Sequence, residues 1–379
     1  MKIAIDAHSL EGKPTGVGRY LINLLRNWTN TNNEYLLYFQ QSILKDPVLT
    51  APCFKNKIIK APLGIKSNAC WQHLLLPEVL KKERPDLLFS PSYLLPFNWT
   101  GKSVVVLHDI SYEAHPEWFS PANRFLLKFI SKRAAQKATA IITVSEFSKK
   151  EILKYYKVDP AKVKVTLEAA DKDCRVVSDQ VKLEGFKKKL GINDKFVLAI
   201  GSIFNRRHIP ELIKGFSQIA PDFPQYQLLI VGENHTCPFI DIEKLINSAN
   251  SKLERKAIIH KDYLKEDLIL AYNAAQLTVY LSTYEGFGLP PLESMACGTP
   301  VLTSRMTSLP EVVGDDALFA DPRDPDQIAK ALRKGLTDYK LRKILVERGL
   351  ERVKKFSWQK CAQQTLKILE KVNEKNYPA

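Results

Sequence analysis

Residues 284–300 read YEGFGLPPLESMACGTP and have the pattern of a strand-to-helix turn. The preceding run 277–281 is apolar and of strand length, and the residues after the turn have a helical composition that ends at Gly298. Gly286 and Gly288 fall inside the predicted turn, where glycine lets the backbone approach a ligand closely. Because a helix follows directly, its free N–H groups can bind an anion.

Two carboxylates flank this predicted turn. Glu285 precedes the glycines, and Glu293 lies about two helical turns later. At that separation the two side chains contact different parts of an extended ligand. The simpler alternative is that Glu293 only complements the helix dipole, which is worth about 0.3 to 1 kcal/mol, and that Glu285 is a solvated loop residue.

The composition is that of a soluble globular protein with two domains. The chain has 379 residues, of which 45% are hydrophobic and 26% are charged, and one hydrophobic core rarely serves more than about 300 residues. No apolar stretch approaches the ~18 residues of a membrane span, and residues 1–6 read as a strand rather than a signal peptide. We therefore expect a cytoplasmic protein.

The net charge bears on the kind of ligand, and the cysteine spacing bears on whether a metal site is present. The formal charge is +15, which favours anionic ligands, membranes or nucleic acid without choosing among them. The six cysteines show no C-x-x-C spacing and no neighbouring histidine at metal-ligand spacing. Reduced structural thiols are therefore expected rather than a metal site.

Strands and helices alternate along the chain, which predicts parallel sheets covered on both faces. The strand 102–107 ends at His108, and the strand 196–201 leads to Arg206 and Arg207 before a helix. Ligands of open parallel sheets bind outside the carboxyl ends of strands, and guanidinium groups bind phosphate bidentately. The alternatives are a histidine packed at a strand end and a pair of surface arginines.

The segment EGFGLPPLESMACGTPV, residues 285–301, resembles the donor-site signature of the retaining glycosyltransferases of family 4. The resemblance implies that Glu285 contacts the transferred sugar and that Glu293 holds the ribose of the nucleotide. Two further phrases carry the same resemblance. GVGRY implies that the backbone N–H of Gly16 approaches the donor diphosphate, and VLHDISY implies that His108 contacts the donor sugar.

The resemblance also assigns roles to two loops of the second half of the chain. The backbone amides of Phe287, Gly288 and Leu289 are expected to face the sugar and the diphosphate. The loop that contains Tyr263 and Leu264 is expected to contact the base, largely through its main chain.

The chain departs from the family pattern at two places. Family members usually show Arg-Lys-Asn where Arg206, Arg207 and His208 stand here, so positive charge is kept while the geometry differs. Ala169 and Ala170 stand where Asn-Gly is usual, which leaves the local turn open.

The fold implied by the resemblance is GT-B, an α/β architecture with two Rossmann-like doubly wound parallel-sheet domains facing across a cleft. We expect an acceptor-binding domain at 1–173, a linker at 174–182 and a nucleotide-sugar-binding domain at 183–357. Residues 358–379 are expected to form a helix that crosses back to the first domain.

The predicted activity is a retaining, metal-independent transfer of a hexose from a nucleotide diphosphate sugar to a saccharide or lipid-linked hydroxyl. GDP-mannose or a UDP-hexose is the expected donor, in polysaccharide or glycoconjugate assembly. We expect no cofactor and no nucleic-acid partner. The D-x-D pattern at 171–173 lies at the predicted linker, away from the proposed diphosphate site, so Arg206 and Arg207 are expected to stabilise the leaving group instead. The alternatives are a GT-B epimerase or phosphorylase, and a non-catalytic basic scaffold.

A basic helix is predicted at residues 120–137. A ridge of Arg124, Lys128 and Lys132, flanked by Phe125 and Phe129, is either a solvated face or a contact with anionic membrane at the inner membrane face. The residues expected on the core face of this helix are Leu126, Leu127, Ile130 and Ala134.

Overall fold

The structure, a computed structural model, describes residues 1–12, 16–60, 70–192, 195–264 and 267–374. Residues 13–15 of the first glycine loop lie outside this description. The chain forms two compact units. The first contains Met1–Ala114, Pro121–Glu168 and Ser357–Ala379, and the second contains His115–Ser120 and Ala169–Phe356.

The first unit is built on a seven-stranded parallel sheet with the strand order β3-β2-β1-β4-β5-β6-β7. The strand order reverses between β1 and β4, which makes this pair the topological switch point of the sheet. The strands are β1 (Lys2–Asp6), β2 (Glu34–Phe39), β3 (Phe54–Ile58), β4 (Leu87–Ser90), β5 (Ser103–Val106), β6 (Ala140–Thr143) and β7 (Val163–Val165).

Helices cover this sheet, and one of them comes from the far end of the chain. The indole N–H of Trp28 donates to the carbonyl of Ala362 at 3.1 Å, and the Trp28 ring stacks on Tyr35 at 5.4 Å. The α-helices are Gly16–Arg26, Leu76–Glu83, Ser111–Ala114, Pro121–Lys137, Glu146–Tyr156 and Trp358–Asn373, and Trp71–Leu75 forms one π-turn.

The second unit contains a six-stranded parallel sheet with the order β10-β9-β8-β11-β12-β13. Its switch point lies between β8 and β11, so the loops after these two strands leave the same edge side by side. The strands are β8 (Lys195–Ile200), β9 (Tyr226–Val231), β10 (Ile258–Lys261), β11 (Leu277–Tyr280), β12 (Val301–Thr303) and β13 (Leu318–Phe319).

Both faces of the second sheet are buried, as its continuously apolar strands predict. Val197 and Ala199 of β8 pack into one hydrophobic cluster, whereas Phe196 and Leu198 pack into another, because successive side chains point to opposite faces. The helices are Gln180–Leu190, Ile209–Ile219, Ile242–Lys252, Leu268–Ala274, Leu289–Ala296, Leu309–Val313, Pro325–Thr337 and Tyr339–Val353. Gln180–Leu190 begins within the segment 174–182 expected as a linker.

The expected core face of the helix Pro121–Lys137 needs one correction. Leu126 was predicted to be buried, but it is 50% exposed. Ile130 and Ala134 are buried as predicted, and all buried residues of this helix lie in its second half. The first half is only partly covered: Leu127 is half-buried, whereas Phe125 and Leu126 face outward. No helix in the described part of the chain is long and apolar enough to cross a membrane.

Candidate functional site

Two arginines follow β8 at the switch point of the second sheet. They lie in the short turn Asn205–Arg207, which leads into the helix Ile209–Ile219. Gly201 precedes the turn with a φ of 109°, a backbone conformation that favours glycine. A Cβ at Gly201 would lie 2.9 Å from Nη1 of Arg207. The glycine therefore lets the Arg207 guanidinium lie directly against the end of the strand.

Glu285 follows β11 and is held by hydroxyl groups of its own loop and of the loop after β12. The side chain is 8% exposed, and Ser282 Oγ donates to its Oε1 at 2.7 Å. The Glu285 N–H donates to Thr307 Oγ1 at 3.0 Å. Ser308 Oγ donates to the carbonyl oxygens of Glu285 and Phe287, at 2.9 and 2.7 Å. These hydrogen bonds hold the carboxylate in one place at the sheet edge.

The structure brings the predicted Arg206, Arg207 and Glu285 together. Glu285 Oε1 lies 2.9 Å from Arg207 Nε and 3.7 Å from Arg206 Nε. The Thr283 N–H donates to the Arg206 carbonyl at 2.9 Å, which joins the two loops. One carboxylate thus faces two guanidinium groups, and the cluster keeps a surplus of one positive charge.

The surplus charge is accompanied by unused hydrogen-bond donors. Although Arg207 Nε is close to Glu285, its N–H is not aligned for a hydrogen bond, and Nη1 also finds no acceptor among the described residues. The guanidinium lies 4.1 Å above the Tyr280 ring, and burial raises the pKa of Tyr280, which keeps the phenol neutral. Buried donors without an acceptor are costly, so this site favours an anion.

The glycine turn after Glu285 leads into the helix Leu289–Ala296, as predicted. Gly288 is its N-terminal cap with a φ of 108°, and proline occupies the first turn. The Phe287 ring is 4% exposed and packs edge-on against Phe356 at 5.8 Å. The side chain of Phe287 is therefore structural, and the backbone of this turn can meet a ligand.

Glu293 lies on that helix and has different partners from Glu285. It is 1% exposed, and the Tyr272 hydroxyl donates to its Oε2 at 2.8 Å. The two carboxylates therefore occupy separate environments, as their spacing in the sequence predicts. Nothing in the sequence pairs Tyr272 with Glu293, because that contact depends on how the helix Leu268–Ala274 packs.

The loop after β10 presents one side chain and buries the other. Tyr263 is 61% exposed, whereas Leu264 is 7% exposed and belongs to a core cluster. The Leu264 side chain is thus unavailable to a ligand and the Tyr263 ring is accessible, and the role of this loop in base binding stays a prediction.

The first unit contains the other two predicted residues. His108 follows β5, with Nε2 3.0 Å from the Pro91 carbonyl and Nδ1 3.3 Å from Glu168 Oε1. The Tyr20 ring packs edge-on against the imidazole at 4.9 Å. Gly16 is the exposed first residue of the helix Gly16–Arg26, so its N–H has no partner within the helix.

Sequence reasoning missed the hydroxyl groups that hold Glu285. Ser282 could have been found, since it lies three residues before Glu285 in the same loop. Thr307 and Ser308 could not, because they follow β12 and reach the site only through the strand order. Among the described residues, no group of three or more His, Cys, Asp or Glu side chains could hold a metal ion.

Comparison with known proteins is consistent across the chain. The family model "Glycosyltransferase Family 4" matches residues 14–171, and "Glycosyl transferases group 1" matches residues 183–352. The O-antigen chain mannosyltransferase B of Escherichia coli is 30% identical, over 97% of this chain and 98% of its own length. The serotype-specific mannosyltransferase WbdA of Escherichia coli is 31% identical over 73% of this chain, which corresponds to 36% of that longer protein.

Among solved structures, the sucrose-phosphate synthase from Thermosynechococcus elongatus superposes with a TM-score of 0.80 at 20% identity, over 98% of both chains. A likeness at that identity shows the fold, two parallel-sheet α/β domains of GT-B type. With both family models matched and a relative similar over its full length, the chain belongs to the family 4 glycosyltransferases of GT-B fold.

Proposed function

We propose that this enzyme transfers a hexose from a nucleoside diphosphate sugar to a hydroxyl of a saccharide or glycolipid during polysaccharide assembly. The observation that carries the proposal is the cluster of Arg206, Arg207 and Glu285, which has surplus positive charge and buried free donors. A diphosphate next to a sugar matches that combination. Mannose, carried by GDP, is the first candidate, because both relatives named above are mannosyltransferases.

Each group of the site has a distinct role in this proposal. The diphosphate binds Arg206 and Arg207 and the N-terminus of the helix Leu289–Ala296. Glu293 accepts hydrogen bonds from the ribose hydroxyls, and Glu285 contacts the sugar. Ser282 already holds the Glu285 carboxylate in place, so little free energy is spent on ordering this side chain when the sugar becomes positively charged in the transition state.

The proposed chemistry retains the anomeric configuration. The bond between C1 of the sugar and the phosphate oxygen breaks, and the acceptor oxygen bonds to C1 on the same face. The proton of the acceptor hydroxyl passes to an oxygen of the leaving diphosphate. Arg206 and Arg207 stabilise the charge that grows on that diphosphate, so no metal ion is needed and no cofactor takes part.

The experiment measures GDP or UDP release from GDP-mannose and UDP-glucose, with methyl α-D-mannopyranoside as acceptor, with and without EDTA. Turnover should be insensitive to EDTA, and Arg206→Ala should lower kcat by about 100-fold, the usual effect of losing one transition-state donor. Arg305→Ala is the matched control, because Arg305 is an exposed arginine of the same unit paired with Asp315. Loss of turnover in EDTA, restored by Mg²⁺ or Mn²⁺, would contradict metal independence.

The same assay separates the alternative activities. An epimerase would convert the sugar nucleotide without consuming acceptor, and a phosphorylase would require inorganic phosphate. A non-catalytic scaffold would bind the donor, seen as a thermal shift, and release no nucleotide.

We also propose that the helix Pro121–Lys137 contacts anionic membrane. Phe125, Leu126 and Phe129 are 74%, 50% and 52% exposed beside a basic ridge, which is the composition of an interfacial helix. Binding to phosphatidylglycerol vesicles should fall when Phe125 and Phe129 are changed to Ser, and it should weaken with salt. Val181→Ser, a similarly exposed apolar residue of the second unit, is the control. If all variants bind the vesicles equally, the helix does not contact membrane and its basic face is simply solvated.

A further inference from the structure

Each arginine of the candidate site lies over an aromatic ring. The Arg207 guanidinium lies 4.1 Å from the centroid of the Tyr280 ring, and the Arg206 guanidinium lies 4.2 Å from that of Phe204. The negative face of an aromatic ring attracts a cation at such distances. Phe204 is half-buried and directly precedes the turn Asn205–Arg207. Phe204 thus contacts Arg206 in the way that Tyr280 contacts Arg207.

The Arg206 guanidinium keeps its hydrogen-bond donors while this ring holds it. Its Nε lies 3.7 Å from Glu285 Oε1, which is longer than a hydrogen bond, and the side chain has no hydrogen-bond acceptor among the described residues. A phenyl ring attracts the charge but offers no oxygen or nitrogen acceptor. The N–H groups of the guanidinium are thus left for phosphate oxygens.

The Phe204 ring is itself held by the loop that follows β9. The His235 ring stacks on it with 5.7 Å between the centroids and an angle of 28° between the planes. Two backbone hydrogen bonds join the two loops: the Ile203 N–H donates to the Glu233 carbonyl at 2.9 Å, and the His235 N–H donates to the Ile203 carbonyl at 2.8 Å. The same loop therefore holds the ring and the residue before it.

Asn205, the residue after Phe204, is tied to that loop as well. Its Oδ1 accepts a hydrogen bond from the Cys237 N–H at 2.6 Å, and its Nδ2 donates to the Pro238 carbonyl at 3.2 Å. Both chain neighbours of Phe204 are thus bound to the loop after β9, which restricts the backbone at Phe204. A long arginine side chain loses much rotamer freedom when a ligand binds, so a fixed ring that orders it beforehand lowers that cost.

We infer that Phe204 is a positioning residue for the diphosphate, because its ring orients the Arg206 guanidinium before the donor binds. This inference rests on the proposed function. Negative charge grows on the diphosphate as its bond to the sugar breaks, so a correctly directed Arg206 stabilises the transition state more than the bound donor. Arg207 has its own contacts with Tyr280 and Glu285. The contribution of Phe204 therefore passes through Arg206 alone.

The test is a double-mutant cycle in the full-length protein. It measures nucleotide release from GDP-mannose or UDP-glucose, whichever the wild type uses, with methyl α-D-mannopyranoside as acceptor. Phe204→Leu keeps an apolar side chain but removes the ring, and it should lower kcat by roughly 3- to 30-fold, the range of one cation–π contact, with a smaller change in KM. In the Arg206→Ala background the same substitution should change kcat by less than about twofold, because the contact is already gone.

Two further variants control for the loss of an aromatic side chain. Phe204→Tyr keeps the ring and should stay within about twofold of the wild type. Phe319→Leu is the matched control, because the half-buried Phe319 ring lies 3.9 Å from the Arg305 guanidinium of the same unit, and its kcat should be unchanged. Melting temperatures check folding, and Phe204→Met takes the place of Phe204→Leu if the leucine variant is unstable.

Two results would overturn the inference. One is a wild-type kcat in Phe204→Leu. The other is an equal loss with and without Arg206, which would show that the ring only stabilises the fold.

If the wild type uses neither donor, the proposed function fails by itself. The role of Phe204 is then decided by calorimetry of the same four proteins with inorganic pyrophosphate. Weaker binding by Phe204→Leu only where Arg206 is present would support the inference. Equal binding by the wild type and Phe204→Leu, or no binding by the wild type, would refute it.

Discussion

Glu285→Gln separates sugar contact from nucleotide binding. The amide keeps the size of the side chain and still accepts a hydrogen bond from Ser282, but it removes the negative charge that faces Arg206 and Arg207. The arginines are then free to bind a diphosphate. We therefore expect the substitution to lower transfer without lowering the affinity for GDP.

The magnitude follows from the distances. Arg207 Nε lies 2.9 Å from Glu285 Oε1, so a phosphate oxygen in contact with Arg207 would lie ~6 Å from the carboxylate. At an effective dielectric constant near 20 the repulsion is ~3 kcal/mol per unit charge. Screening by water and ions around the bound diphosphate reduces this to ~1 kcal/mol, or about fivefold tighter GDP binding. The lost charge-assisted hydrogen bond to the sugar costs ~1.5–3 kcal/mol, or a decrease in kcat of roughly 10- to 150-fold.

The assay is calorimetry with GDP alone, set beside initial rates with GDP-mannose. Glu293→Gln is the comparison variant, because it should weaken GDP binding through the ribose while leaving Arg207 and Glu285 paired. Melting temperatures check that both variants fold. If Glu285→Gln loses GDP affinity as severely as Glu293→Gln does, the two carboxylates act at one point and the proposed layout of the site is wrong.

Two predictions concern stability. Gly215→Ala should lower the free energy of unfolding by ~1–3 kcal/mol, and with it the melting temperature, because its Cβ would lie 2.8 Å from the Pro325 carbonyl oxygen. Gly185→Ala is the control, because its Cβ meets no atom within 4 Å, and it should be neutral or stabilising. Asp6→Asn should lower the melting temperature most between about pH 4 and 6.5. Burial raises the pKa of Asp6, but the charge and hydrogen bonds of His8 outweigh burial and lower that pKa, so the stabilisation by Asp6 is lost as pH falls. The charge of Asp6 raises the pKa of His8, so the stabilisation by His8 is lost as pH rises through the raised pKa. A constant difference across this range would contradict the charge pairing of Asp6 and His8.

Most of the fold and part of the site could be predicted from the sequence. The glycine turn at Gly288, the helix after it and the position of Arg206 and Arg207 after a strand all follow from local pattern, because turns, caps and apolar runs are set by neighbouring residues. The restriction of the buried residues to the second half of the helix Pro121–Lys137 could not be predicted. Periodicity identifies the apolar face of a helix, but it does not show how far along the helix the neighbouring elements cover that face.

The sequence alone determined the alternation of strands and helices, the separation of Glu285 from Glu293 and the family, since each is written in consecutive residues. Only the tertiary structure decided which distant groups meet. The pairing of Arg207 with Glu285 depends on β8 and β11 being neighbours, and the bond from Gln72 to Asp6 joins residues 66 positions apart. Such contacts depend on strand order and helix packing, which arise from burial summed over the whole unit.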